Sequence, residues 1–249
     1  MGARSLPRPD LIEEAARVLD AAEAAGIVVR ALGGLAVNMI CPSARVPPLA
    51  RSYKDLDLAS RQGDAARITD LLDSLGYEPD LEFNALHGHK QLYFWDAGNG
   101  RQLDVFVERI ELSHDLEIGR RLEVTRRTLS PADLLLTKLQ VVEVNEKDLT
   151  DACALLADQP LSPDGIDPER IVEVLCDDWG WWRTCTRTLE TVIRYAEELD
   201  GFEGQAAVLR SARELMSRVD DAPKSLRWRA RSIIGERVRW YELPEETGA

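Results

Sequence analysis

Two short signals constrain the fold of this chain most: Gly33-Gly34, directly behind the apolar run 27–32, and Lys54-Asp55-Leu56-Asp57-Leu58. The run 27–32 is too short for a buried helix and ends on glycines, so it reads as a strand that turns into a helix beginning near Leu35. Residues i and i+2 of a strand point to one side, so Asp55 and Asp57 present two carboxylates together while Leu56 and Leu58 face inward. A few hard oxygen donors on a rigid element suit Mg²⁺ ions that also bind phosphate and water. The glycines add a turn without side chains, where backbone N–H groups and a helix N-terminus can approach phosphate oxygens. Taken singly, Gly-Gly also fits a plain tight turn and Asp-x-Asp a solvated strand face. Their order, strand, Gly-Gly, helix, acidic strand, is what points to a nucleotide-phosphate and metal site.

The pattern continues downstream. Residues 90–95 and 101–108 read as a hairpin closed by Gly98-Asn99-Gly100. In its second strand Leu103, Val105 and Val107 share one face, which puts Asp104 on the other as a third carboxylate.

At this point the chain resembles the nucleotidyltransferase superfamily with its polymerase-beta-like fold, and within it the AbiEii-like branch that includes toxins of abortive-infection systems. The matching residues are Gly33-Gly34, Asp55-Leu56-Asp57, Asp104, Lys138 in Leu136-Thr137-Lys138-Leu139, and Lys147-Asp148-Leu149-Thr150-Asp151. Together they span roughly residues 27–157. Two positions depart from that branch: Gly34 stands where Ser is frequent, and Asn145-Glu146 where a basic residue often precedes Lys-Asp. The resemblance implies an α+β fold, a mixed sheet flanked by helices, and transfer of a nucleotidyl group from an NTP to an acceptor hydroxyl. It implies Mg²⁺, with Mn²⁺ as a substitute, held by Asp55, Asp57 and Asp104, the last also serving as base. Gly33 and Gly34 would hold the triphosphate, Lys138 its outer phosphates, and Lys147, Asp148 and Asp151 would take part in nucleotide binding. The trio on its own equally fits an ordinary helix-surface ion pair, since 147 and 151 share a face, as do 148 and 151.

Partners follow from the same reading: an NTP, an acceptor that is either RNA such as tRNA or a small hydroxylated molecule, and, for a toxin-like enzyme, an antitoxin protein. A non-catalytic nucleotide-binding protein on the same scaffold is a further reading, against which the three retained carboxylates speak. The net charge of −13 argues against a generally basic nucleic-acid binder and suits a cationic small acceptor. A local exception is 224–240, where Lys224, Arg227, Arg229, Arg231, Arg237 and Arg239 accompany Trp228 and Trp240. No apolar run approaches the ~20 residues of a membrane span, and the start of the chain has no apolar signal core, so a cytoplasmic location without membrane contact is expected. Cys41, Cys153, Cys176 and Cys185 show neither zinc-site spacing nor a disulfide framework.

Two parts are expected, a nucleotidyltransferase-like domain over 1–158 and a C-terminal helical domain over 168–249. The first opens with a helix started by Asp10 and Glu13 and stopped by Gly26; after the short helix behind the glycines Asp64 caps the next one, a strand over 122–125 is expected, and two helices broken near Asn145 close it. A linker rich in Pro and Asp over 160–168 leads into segments of helical period near 171–175, 188–199, 206–219 and 226–240. His87-Gly88-His89 lacks a further ligand nearby for a metal site, and Trp179, Trp181 and Trp182 read as packing aromatics.

Overall fold

The computed structural model describes residues 5–242, so the ends of both expected domains, 1–4 and 243–249, lie outside the described residues. The chain divides into two compact units. The first comprises the chain through Met39, then Ser52–Ile110 and Leu116–Ser130; the second comprises Ile40–Arg51, Glu111–Asp115 and the chain from Pro131 on. This boundary at Ser130 differs from a division in the 159–167 linker, because the two helices after Ser130 pack with the C-terminal helices.

The first unit is α+β. Helix α1 (Leu11–Ala24) starts where the Asp10 carboxylate accepts the Glu13 N–H and ends before Gly26 at φ +63°. Strand β1 (Val29–Ala31) leads into α2 (Gly33–Ile40), which begins two residues earlier than the sequence pattern suggests. Next come β2 (Leu56–Ser60), α3 (Ala65–Ser74), β3 (Glu78–Pro79), α4 (Leu81–His87) and the hairpin β4 (Gln91–Asp96) and β5 (Arg101–Val107). The five strands form one mixed sheet in the order β1-β2-β5-β4-β3, with β2 and β5 parallel and the other neighbours antiparallel. Leu56, Leu58, Leu92, Phe94, Leu103, Val105 and Val107 share its apolar face, and all are buried. Asp64 stands at the N-cap of α3 without capping it; its carboxylate accepts the Val28 N–H and pairs with Arg67 instead.

A short ribbon of β6 (Arg109–Glu111) and β7 (Asp115–Glu117) follows. The expected strand over 122–125 does not form. That stretch is a run of turns in which the Thr125 carbonyl accepts from Arg30, and the chain returns to the sheet only through a bridge between Thr128 and Ala31.

The second unit is helical: α5 (Pro131–Leu139), α6 (Glu146–Asp158), α7 (Pro168–Asp177), α8 (Trp179–Glu198), α9 (Gln205–Asp221) and α10 (Leu226–Ile234). Asn145, Asp167, Asp178 and Ser225 cap α6, α7, α8 and α10, each accepting a backbone N–H of the first turn. The last helix is shorter than the 226–240 pattern because Gly235, at φ +58°, terminates it and a 3-10 turn takes over. Among the described residues no helix is long and apolar enough to cross a membrane.

The core assignment carries a test. Phe94→Ala empties one of the largest fully buried side-chain positions and should cost about 3–5 kcal/mol in chemical denaturation. Leu86→Ala, on the exposed side of α4, should stay within about 0.5 kcal/mol.

Candidate active site

Strand pairing in the first unit gathers the separated signals. Antiparallel pairing sets Ala31 opposite Leu58, and one step further the Leu32 N–H donates to the Asp57 carbonyl at 3.0 Å. Gly33 is therefore delivered to the Asp57 side chain: a Cβ added at Gly33 would lie 2.2 Å from Asp57 Oδ2. Its φ of +69° independently calls for glycine. Parallel pairing of β2 with β5 sets Asp57 directly opposite Asp104, and antiparallel pairing of β5 with β4 adds Tyr93 to the same row. One row across the polar face thus reads Asp57, Asp104, Tyr93. Asp55 is exposed just before β2; burial raises the pKa of both Asp104 and Tyr93, and the Asp55 charge is close enough to add to each rise.

Asp104 is 5% exposed. Gln91 Nε2 donates to its Oδ1 and Gln102 Nε2 to its Oδ2, both at 2.7 Å. Burial lifts its pKa above the ordinary carboxylate range, the two amide hydrogen bonds pull it down, and the Asp55 charge adds to the rise; the net shift is upward. Sequence patterning singles out neither glutamine. Gln102 is legible in principle, since it lies two residues before Asp104 on one strand face. Gln91 requires the hairpin register.

The remaining candidates lie in the second unit. The Lys138 ammonium on α5 reaches two carboxylates of α6, Asp151 Oδ2 at 2.9 Å and Asp148 Oδ1 at 3.2 Å. Burial lowers the lysine's pKa, and the two carboxylates more than reverse that, leaving it raised and the ammonium charged. Arg51 grips the same Asp151 with two bonds, Nε to Oδ1 at 3.1 Å and Nη2 to Oδ2 at 2.7 Å. Lys147 is exposed on α6, outside the ion pairs that join Lys138 and Arg51 to the two aspartates.

Other singled-out residues take packing roles. His87 ends α4 with its ring 4.8 Å from that of Phe83. Trp179 and Trp182 pack with Trp240 and Trp228 respectively. In the basic stretch, Arg227 pairs with Asp178, Arg231 donates to the Gly235 and Val238 carbonyls, and Lys224 donates to the Val219 and Ala222 carbonyls.

Among the described residues no three His, Cys, Asp or Glu side chains are grouped tightly enough to hold a metal ion. The donor chemistry nonetheless fits a hard divalent cation. Asp57 and Asp104 are carboxylates in register on adjacent strands, and Asp104 is crowded by burial and by the charge of Asp55. A cation relieves that crowding, and a carboxylate oxygen that accepts one hydrogen bond keeps a second lone pair for it.

Comparison with known proteins identifies the family. The family described as uncharacterised nucleotidyltransferase matches residues 10–156, more than half of the chain and all of the motif residues. The chain belongs to that family. Among curated proteins none matches the sequence. Solved structures similar to it include JHP933 from Helicobacter pylori, 12% identical, covering 94% of this chain and 100% of that one, with a TM-score of 0.41. Another is the antibiotic-resistance factor ANT(2'')-Ia, 14% identical, covering 84% and 94%, with a TM-score of 0.36.

Two outcomes check the geometry. Gly33→Ala should displace the Asp57 carboxylate and lower stability by about 1–2 kcal/mol from the left-handed backbone alone, read by thermal melting. For Asp104 the folded-state pKa is raised, so the folded state holds its proton more tightly than the unfolded chain does. Ionising it therefore costs stability, a cost absent well below 3.8 and complete once pH exceeds the raised value. Asp104→Asn should accordingly melt higher than wild type at pH 7 and lose that advantage in acid, one glutamine amide flipping to match the new amide.

Proposed function

We propose that the protein is a Mg²⁺-dependent nucleotidyltransferase that moves a nucleotidyl group from an NTP to an acceptor hydroxyl, releasing pyrophosphate. The observation that carries this reading is the row of Asp57 and Asp104 on paired parallel strands with Gly33 pressed against Asp57. Asp55, Asp57 and Asp104 would hold the metal. When bound, Mg²⁺, or Mn²⁺ in its place, offsets triphosphate charge and eases deprotonation of the acceptor hydroxyl.

The chain's own groups do the rest. Backbone N–H groups at Gly33 and Gly34, at the start of α2, orient phosphate oxygens. The acceptor oxygen forms its bond to the α-phosphorus as the bond from that phosphorus to the bridging oxygen breaks, and the Asp104 carboxylate takes the hydroxyl proton. From the motif resemblance, Lys138 would supply a point charge for an outer phosphate, and Lys147, Asp148 and Asp151 would assist nucleotide binding.

The finer reading is an AbiEii-like, toxin-type enzyme of the cytoplasm that acts on tRNA and is restrained by an antitoxin protein. It is supported by the Lys138 and Lys147-Asp148-x-x-Asp151 pattern. A small cationic hydroxylated acceptor is the second reading, favoured by the net charge of −13 and by the internal engagement of Arg227, Arg231 and Lys224.

Incubation with each labelled NTP and Mg²⁺, with total tRNA or a panel of aminoglycosides, tests both. Asp57→Asn keeps shape and removes charge, so label transfer should drop by at least about a thousandfold while the melting curve stays cooperative; wild-type rates would sink the assignment. An RNA acceptor should bind with a steep salt dependence, and a small acceptor with a shallow one.

A further inference from the structure

Ala31 of β1 turns its N–H and its carbonyl away from β2, to the Arg127 carbonyl and the Leu129 N–H. Peptide groups alternate along a strand, so those of Val29, two residues back, face the same outer edge of the sheet. The Val29 carbonyl accepts Arg30 Nη1 at 2.7 Å. Its N–H has no acceptor among the described residues: the Thr125 carbonyl, next in line for it in the parallel register of the Thr128 bridge, accepts Arg30 Nε at 2.6 Å instead. Val29 is 3% exposed, and a buried N–H left unpaired is rare and costly. This edge opens onto a cleft of about 240 Å³ within the first unit, whose lining includes Val29, Glu23 and three arginines, Arg30, Arg126 and Arg127. Arg126 donates Nε and Nη2 to Glu23 Oε1, and Arg127 Nη2 donates to Asp20 Oδ1 at 2.7 Å and to the Ala16 carbonyl. Arg30 has the two carbonyls and, among the described residues, no carboxylate partner. Burial lowers its pKa, the Arg61 charge lowers it further, and the charges of Glu123 and Glu23 offset only part of that. Arg61 is itself paired with Glu123.

We propose that this cleft binds a phosphate group, carried either by inorganic phosphate or by a small phosphomonoester. It is separate from the carboxylate row of Asp57 and Asp104 and does not depend on nucleotidyl transfer. The two groups that want a ligand are both donors, the Val29 N–H and the Arg30 guanidinium, and they sit side by side. A tetrahedral phosphate offers oxygens in several directions, so it can meet both and still present an oxygen to Arg126 or Arg127. A carboxylate has two oxygens in one plane and spans fewer of these donors. The outer arginines are held in exposed ion pairs, which are worth little, so they can turn from Glu23 and Asp20 to a phosphate at small cost. Their planar forks match pairs of phosphate oxygens. The cleft is smaller than the ~300 Å³ at which pockets for drug-sized ligands begin, so it suits a phosphate with a short substituent rather than a whole nucleotide.

The full chain is titrated, without Mg²⁺ and at one ionic strength, with inorganic phosphate, glycerol phosphate and acetate, followed by calorimetry and by backbone amide shifts of isotope-labelled protein. Inorganic phosphate or glycerol phosphate should bind saturably with a Kd below about 10 mM and shift the Val29 amide. Arg30→Gln should weaken that binding about tenfold or more. Arg126→Gln together with Arg127→Gln alters only outer groups and should also weaken it about tenfold; this pair decides the matter where Arg30→Gln does not fold. Tighter binding of glycerol phosphate assigns the cleft to an esterified phosphate, and tighter binding of inorganic phosphate assigns it to the free ion. The proposal is overturned if neither phosphate saturates below that limit, if acetate binds as tightly, if the Val29 amide does not move, or if the variants bind as wild type does. Phosphate held instead at Gly33-Gly34 or on Lys138 would leave Val29 and the arginine variants unaffected, an outcome that removes the cleft and not the nucleotidyl-transfer reading.

Discussion

The register of β2 between β1 and β5 is the constraint on which the candidate site depends. Because Asp57 sits opposite Asp104 in the parallel pair and beside Leu32 in the antiparallel one, three distant stretches of sequence meet at one strand position. A slip of one residue would send Asp57 to the apolar face and Leu56 or Leu58 to the polar one, and both changes are costly. The buried leucines and valines therefore do more than fill a core: they lock the face on which the acids stand. Gly33 is the point where this register leaves no room for a side chain.

Electrostatics in the two units follow opposite designs. In the first, Asp104 is buried with an amide donor on each oxygen, and burial is the largest cause of its upward pKa shift. In the second, Lys138 and Arg51 meet Asp148 and Asp151 as ion pairs. Such a quartet is suited to holding side chains in place.

Elsewhere the polar groups are turned inward. Arg227 and Arg231 of the C-terminal stretch, which as a sequence resembles a nucleic-acid grip, meet backbone carbonyls, Asp178 and the ring of Trp179. Exposed ion pairs of this kind contribute little to stability and can be exchanged. Arg229, Arg237 and Arg239 remain at the surface, so the charge pattern there differs from the one the bare sequence displays.

The sequence by itself determined the element types and the polar and apolar faces. Period-two alternation at 55–58 and 102–107, glycines at strand ends, and the cap at Asp10 are local signals, governed by residues within a few positions of one another. They are enough to single out Asp55, Asp57 and Asp104 and to place Asp57 and Asp104 on strands of a mixed sheet, whereas Asp55, expected on the same strand as Asp57, lies one residue before β2. The expected strand over 122–125 fails because that stretch is held in turns and the chain meets the β1 edge of the sheet only afterwards, at Thr128, and the helix over 226–240 is cut by a glycine that periodicity alone ignores. Only tertiary structure decided that Gln91 and Gln102 hold Asp104, that Gly33 abuts Asp57, and that Arg51 shares Asp151 with Lys138. Those contacts join residues that strand register and helix packing bring together, and no local pattern encodes such a pairing.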